Sequence, residues 1–481
     1  MNPQPNILLI MCDDLGYGDV GFNGATHIQT PHLDQLATES QRFDRFYAGG
    51  PVCSPTRGTV LTGRHYIRYG INHANQGRLP TEEVTLASLC QSSGYVTGHF
   101  GKWHLGTLTK DGHDGNRGGK DDRLYSPPWL HGFDRCFSTE SKVPTWDPMI
   151  TPNELSSKGR PLWGQPGSPF GTHYWDEKGE MVNEPLEGCD CRVIVDRAEP
   201  FIRESVASNS PFLSVVWFHA PHTPVVAGPE WLALYPNDTE AEQHYYGCVS
   251  AMDAQVGRLV EMLKNLDVFD NTLIWFCSDN GPETPGGDGG RSQGQTGGLR
   301  GRKRSLYEGG VGVPTLVHWP KGEHQGQTYT GPTSTLDILP TCCALSNISQ
   351  PNDRPLDGEN ILPLVRGSKK ERQSPIPYRF LDQKESMFGS PTFALHDGGW
   401  KFLTNLDEKG EHDQLYDMET DRGETKNLID QHPQLQKNYR EQLSSFLESC
   451  RNSHAGDDYH EPIDMITPFQ EAGSWRGSLQ T

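Results

Sequence analysis

The sequence predicts an α/β protein, a large mostly parallel sheet flanked by helices with a smaller C-terminal α+β subdomain containing an antiparallel sheet. Three observations predict it. Short apolar runs alternate with amphipathic helical segments over most of the chain, as expected for parallel strands covered on both faces. Beyond about Pro375 the texture changes to strands joined by turns and then one helix. With 481 residues the chain suits one large body and one smaller one, divided here at 1–375 and 376–481.

The elements follow in order. "NILLIM" (Asn6–Met11) is a buried strand that stops at Cys12, Asp13 and Asp14. "TPHLDQLATES" is a helix with Thr30 as cap, Pro31 in its first turn, and Leu33, Leu36 and Ala37 on one face. "PVCSPTRGTVLTGR" (51–64) reads as a loop up to Ser54 and Pro55, a cap and a first-turn proline. That places Cys53 at a helix N-terminus, where backbone N–H groups favour an anion, with Arg57 one turn further on. "YVTGHFGKWHLG", from Tyr95, is a weaker strand delivering Lys102 and His104. "FLSVVWF" (Phe212–Phe218) ends at "HAPH", His219 to His222. A helix runs through Val249, Met252, Val256, Leu259, Val260 and Leu263. "TLIWFC" (Thr272–Cys277) ends at Ser278, Asp279, Asn280 and Gly281. In the C-terminal part, "FALHDGGWKFLTN" and "HDQLYDMETDRGETKNL" read as antiparallel strands, a helix spans about Pro433 to Cys450, and the polar tail is extended. Two glycine-rich stretches, 111–123 and 282–303, are long loops at the mouth of a site; neither has the lysine spacing of a phosphate-binding loop.

Composition narrows the partners. A net charge of −20 argues against nucleic acid and against an anionic membrane surface. An anionic substrate therefore needs a local positive pocket. No apolar run approaches the ~20 residues of a membrane span. The opening "MNPQPNILLIMCDD" lacks a charged, then long apolar, leader pattern. The expected location is periplasmic or secreted if a leader was removed, and cytoplasmic otherwise. The 11 cysteines include no CxxC pair, and most read as small buried residues.

In an open parallel sheet the ligand site lies at the carboxyl ends of the strands, so the four strand-end groups converge. Asp13, Asp14, Asp279 and Asn280 form a hard-oxygen set suited to Ca²⁺ or Mg²⁺ and not to zinc. Each pair alone is an ordinary turn; together at one sheet edge they are a metal site. Arg57, Lys102, His104, His222 and Lys303 supply positive charge and protons, which beside a divalent cation fits a sulfate or phosphate ester. His219 and His222 are alternatives for substrate contact. Arg300, Arg302 and Arg304, around Lys303, read as a solvated patch. Of the aromatics between 125 and 187 (Trp129, Trp146, Trp163, Trp175, Tyr174), at least half are expected to be core or loop anchors rather than sugar-stacking surfaces.

"CSPTRGTVLTGR" and "GKWHLG" (101–106) resemble the two signature motifs of the type I, formylglycine-dependent sulfatases of the alkaline phosphatase-like superfamily. "DDLGYGDVG", "SDNG", "RKRSLYEGG" and "LYDMETDRGETKNL" resemble further segments of that family in the same order. The resemblance implies that a separate enzyme, formylglycine-generating or anaerobic sulfatase-maturing, converts Cys53 to Cα-formylglycine (3-oxoalanine). It further implies that the hydrated aldehyde attacks sulfur, while Asp13, Asp14, Asp279, Asn280 and residue 53 bind Ca²⁺. Arg57 would stabilise the nucleophile. Lys102, Lys303 and His222 would hold the sulfate, His222 also protonating the leaving alcohol, and His104 would regenerate the aldehyde. Gly312 stands where the family often has arginine, a local departure. The implied activity is hydrolysis of a sulfate ester, on a sulfated carbohydrate by preference. Phosphonate monoester or phosphodiester hydrolysis is the alternative reaction, and non-catalytic glycan binding the alternative class.

Overall fold

A computed structural model describes residues 4–156, 158–184, 186–285, 290–381, 389–460 and 463–470. The first ten strands are β1 (Asn6–Cys12), β2 (Gln41–Phe43), β3 (Phe46–Tyr47), β4 (Val96–Lys102), β5 (Arg135–Thr139), β6 (Tyr174–Asp176), β7 (Phe212–Trp217), β8 (Thr272–Ser278), β9 (Leu316–His318) and β10 (Thr328–Tyr329). All but β3, which pairs with the short β11 (Thr333–Ser334), form a nine-stranded sheet in the order β10-β2-β9-β8-β1-β7-β4-β5-β6. Its centre, β8-β1-β7-β4-β5, is parallel throughout. Antiparallel pairs β2/β9, β9/β8 and β5/β6 lie toward the flanks.

Side-chain alternation along β1 shows why its run is apolar on both sides. Ile7, Leu9 and Met11 enter one core with Val60 and Leu61 of the helix Cys53–Thr62 and with Leu443 of the C-terminal helix. Leu8, Ile10 and Cys12 enter the opposite core with the helices Pro31–Thr38, Asp190–Ala207 and Glu240–Asn265. The register puts Met11 level with both Trp217 and Cys277, so the strands end at one edge. Thr30 does occupy the cap of the helix Pro31–Thr38, but its hydroxyl accepts the Gly21 N–H (2.8 Å) instead of capping.

A second, four-stranded antiparallel sheet runs β12 (Ile376–Arg379), β13 (Phe393–Asp397), β14 (Trp400–Thr404) and β15 (Gln414–Asp417) in sequence order. The helix after it extends to Ala455, five residues past the expected end at Cys450. Of the tail expected to be extended, residues 471–481 lie outside the described residues. The two sheets are tied by a buried ion cluster: Lys401 of β14 lies 3.1 Å from Glu308 and 2.8 Å from Glu424. Burial, reinforced by Glu308 and opposed by Lys401, pushes the Glu424 carboxyl up to about 7. Lys401→Met leaves these carboxylates without their shared cation and is expected to destabilise the protein by about 3 kcal/mol, read by thermal melting.

All 11 cysteines are buried and unbridged. Among the described residues no helix is long and apolar enough to cross a membrane.

Candidate active site

Four strand ends build the site. Asp13 and Asp14 follow β1, Lys102 closes β4, the His219–His222 loop follows β7, and Asp279 and Asn280 follow β8. Gly101, at φ 107°, is required before Lys102, because a Cβ there would lie 1.9 Å from the Trp217 carbonyl oxygen. Gly281 is required after Asn280 for the same reason, 1.9 Å from the Gly309 carbonyl oxygen. Asp14 (φ 66°) and His104 (φ 59°) occupy the left-handed region without being glycine, strain of the kind that collects at functional sites.

The helix under the site begins earlier than expected. Val52 is its cap, in extended conformation and without a side-chain capping bond, and Cys53 is its first residue, so Ser54 and Pro55 lie inside it. This brings the Cys53 thiol among the free N–H groups of the first turn. The thiol donates to Asp13 Oδ1 (3.3 Å). Burial, with the charges of Asp13 and Asp279, pushes the thiol far above its ordinary range, despite Lys102 and Lys303. This favours the neutral thiol, a poor nucleophile.

Arg57 lies one turn on, fully buried. Its Nε and Nη2 donate to Asp279 Oδ2 (3.2 and 2.7 Å), Nη1 donates to the Lys102 carbonyl (2.9 Å), and the guanidinium sits 5.2 Å from the centre of the Trp217 ring. Lys102 pairs with Asp13 (2.5 Å) and Lys303 with Asp14 (2.7 Å). Burial alone would raise the Asp13 carboxyl, but Lys102, with Arg57 and Lys303, holds it well below the usual range. Burial, aided by Asp13 and opposed mainly by Arg57, pushes Asp279 up to about 7. Asn280 donates to Asp14 Oδ1 (2.7 Å), which leaves its own carbonyl oxygen buried with no partner.

These donors fit a divalent cation. Ligand atoms of Asp13, Asp14, Cys53 and His222 lie within 4.8 Å of one another; Asp279 falls outside that group, its oxygens bonded to the Asp14 N–H and to Arg57, and the buried Asn280 Oδ1 has no partner. A set dominated by carboxylate oxygens matches Ca²⁺ or Mg²⁺ better than zinc.

The histidines separate clearly. His219, an expected substrate contact, is fully buried, bonded through Nδ1 to Asp190 (2.8 Å) and through Nε2 to Thr139 (2.7 Å). Both nitrogens are engaged, and it is not among the residues lining the cavity, so it props the β5 end. His222 faces the cavity. Its Nδ1–H donates to the Thr223 carbonyl (2.6 Å), and Nε2 lies 3.8 Å from Asp14. Burial, countered by Asp13 and reinforced by Lys303, keeps it neutral. His104 Nε2 contacts Asn75 Oδ1 (2.8 Å), an oxygen that also accepts from Asn116 (2.9 Å). That oxygen can only accept, so His104 Nε2 carries the proton and the buried, unpartnered Nδ1 holds the lone pair.

Cys53, Lys102, His104, His222 and Lys303 line one cavity of about 290 Å³, joined by Lys142 and Trp163. Sequence reasoning missed Lys142, Asn75 and Asn116. Lys142 follows β5, so the strand-end rule would have found it had "RCFST" read as a strand. Trp163 is the one aromatic of the five that lines the cavity; Tyr174, for instance, is buried against Phe137 with ring centres 3.9 Å apart. The expected solvated arginine patch is also corrected. Arg300 packs on the Tyr307 ring, Arg302 donates to the Glu283 and Gly294 carbonyls, and Arg304 pairs with Glu283, bracing the loop that carries Lys303.

A model of the sulfatase family matches residues 5–348. The chain belongs to that family. A model described as N-sulphoglucosamine sulphohydrolase, C-terminal, matches residues 301–452 of this sulfatase. The steryl-sulfatase of Mus musculus is 29% identical over 534 residues, covering 94% of this chain and 82% of its own. The N-acetylgalactosamine-6-sulfatase of Homo sapiens is 32% identical over 397 residues, covering 78% and 69%. Among solved structures, Ps i-CgsB in complex with k-i-k-neocarrahexaose superposes with a TM-score of 0.74 at 29% identity, covering 95% of each chain. The protein is thus a sulfatase, a hydrolase of sulfate esters, of a family that uses formylglycine and a divalent metal.

Proposed function

We propose that this sulfatase cleaves a sulfate ester on a saccharide, using a formylglycine made from Cys53 and a Ca²⁺ ion held by Asp13, Asp14, Asp279 and Asn280 with residue 53. The observation that carries the reading is the state of Cys53. It stands at the head of a helix, faces three carboxylates and three cations, and yet its thiol is held protonated. Chemistry at this point requires a different nucleophile, and an aldehyde hydrate supplies a hydroxyl. The bound cation would supply charge that lowers the pKa of that hydroxyl and offsets charge on the ester. Because Cys53 is 2% exposed, a formylglycine-generating or anaerobic sulfatase-maturing enzyme has to act before the fold closes.

The remaining residues have definite tasks. Arg57, fixed by Asp279 and the Lys102 carbonyl, aims its charge at residue 53. Lys102 and Lys303 reach the cavity from opposite carboxylates and are placed to grip sulfate oxygens. Burial holds His222 neutral, and an arriving anionic ester favours its protonation, which readies it as acid for the leaving alcohol. His104, with its Nδ1 lone pair free, is the base that removes the proton when sulfate departs. The saccharide class is supported by the carbohydrate names of the N-acetylgalactosamine-6-sulfatase and neocarrahexaose relatives.

The test is a comparison of kcat/KM for a sugar sulfate and the matching phosphonate monoester on fully matured protein. The sulfate is expected to be favoured by at least about 10-fold. Preference for the phosphonate would reassign the reaction to phosphorus, and absence of turnover in aldehyde-bearing protein would leave glycan binding without catalysis.

A further inference from the structure

The cavity contains one cation whose charge nothing in the site's chemistry uses. Among the described residues lining it, Lys102 is paired with Asp13, Lys303 with Asp14 and Arg304 with Glu283. Lys142 has no hydrogen-bond or ion-pair partner among the described residues, and its ammonium rests 4.5 Å from the centre of the Trp163 ring. That ring is anchored: its Nε1–H donates to Glu154 (3.0 Å), a fully buried carboxylate that also accepts the Arg291 N–H (2.9 Å). Contact with the ring occupies one side of the ammonium and leaves its hydrogens for an acceptor that the described residues do not provide.

A half-buried lysine without a counter-charge is costly unless a ligand supplies one. Burial, then the charges of Lys102 and Lys303, bring Lys142 down to about 8. A lysine kept there at the wall of a cavity the size of one sugar unit has the properties of an anion receptor.

Resting on the sulfatase reading above, we propose that Lys142 binds a second anionic group, a carboxylate or a further sulfate, carried by the same sugar unit as the scissile ester. The preferred substrate is then a dianionic saccharide. Lys102 and Lys303 take the ester being cleaved, and Lys142 recognises its neighbour, so it determines specificity without taking part in the chemistry.

The experiment reads binding, so it does not depend on turnover. In a Cys53→Ala background with Ca²⁺ present, titration calorimetry compares N-acetylgalactosamine 6-sulfate, N-acetylgalactosamine 4,6-disulfate and a monosulfated galacturonic acid. A dianion is expected to bind at least about 10-fold tighter than the monosulfate. Adding Lys142→Gln should reduce that preference to about 2-fold or less and leave monosulfate affinity nearly unchanged, while Lys142→Arg restores the preference. Whether the disulfate or the uronate gains more identifies the second anion. Absence of any dianion preference, or an equal loss for all three ligands, overturns the proposal; equal loss would place Lys142 on the scissile sulfate. Failure of the sulfatase reading would show separately, as matured wild-type protein without activity on an aryl sulfate.

Discussion

Cys53→Ala is expected to lower turnover by about 10⁴-fold or more while leaving the melting temperature within a few degrees of wild type. The two halves of that expectation have separate causes. Residue 53 provides the attacking atom, standing within ligand distance of the Asp13, Asp14 and His222 atoms that could hold the metal. The lost thiol, by contrast, is small, and its one hydrogen bond is to Asp13, a carboxylate already held by Lys102 (2.5 Å). Protein made without a maturing enzyme should match the variant in inactivity, with Cys53 open to alkylation after unfolding. Active protein should yield a residue-53 peptide lighter than the cysteine form and reactive toward a hydrazide. Turnover by Cys53→Ala at the wild-type rate would remove residue 53 from the mechanism.

The central strands were legible because burial on both faces leaves a continuous apolar run, as in β1, β7 and β8. Their ends were legible for the complementary reason: an apolar run that stops at Asp-Asp or Asp-Asn marks where the chain leaves the core. β5 was not, since "RCFST" carries polar residues that pair inside the fold: Ser138 with His99 (2.7 Å), Thr139 with His219 (2.7 Å). With that strand unseen, Lys142 at its end stayed hidden. The His219 assignment failed because its partner Asp190 is 29 residues away, a proximity that only the fold creates. The helix start was misplaced because Ser-Pro imitates a cap, whereas Val52 caps through backbone conformation alone. Asn75 (φ 65°) carries no local signal at all; its role exists only where it meets His104 and Asn116.

Removing the divalent metal is expected to lower activity by about 10³-fold or more, with recovery on adding Ca²⁺ and weaker recovery with Mg²⁺. The charge arrangement explains why. Asp13, Asp14 and Asp279 lie against Lys102, Lys303 and Arg57, three negative charges against three positive ones. Lys102 and Lys303, each against one of these carboxylates, also line the cavity where sulfate would sit. A divalent ion held by Asp13, Asp14, Asp279 and Asn280 would add positive charge beside Lys102 and Lys303, leaving both free to turn toward the cavity, where an anionic ester would restore balance. Metal and sulfate should therefore bind cooperatively, each tightening the other by the same factor. Calorimetry with Ca²⁺ on unmatured protein, with and without inorganic sulfate, measures that factor independently of catalysis, and about 10-fold or more is expected. Ca²⁺ should also raise the melting temperature, by linkage to the folded state alone. Identical Ca²⁺ affinity with and without sulfate would mean that the lysines never exchange one partner for the other.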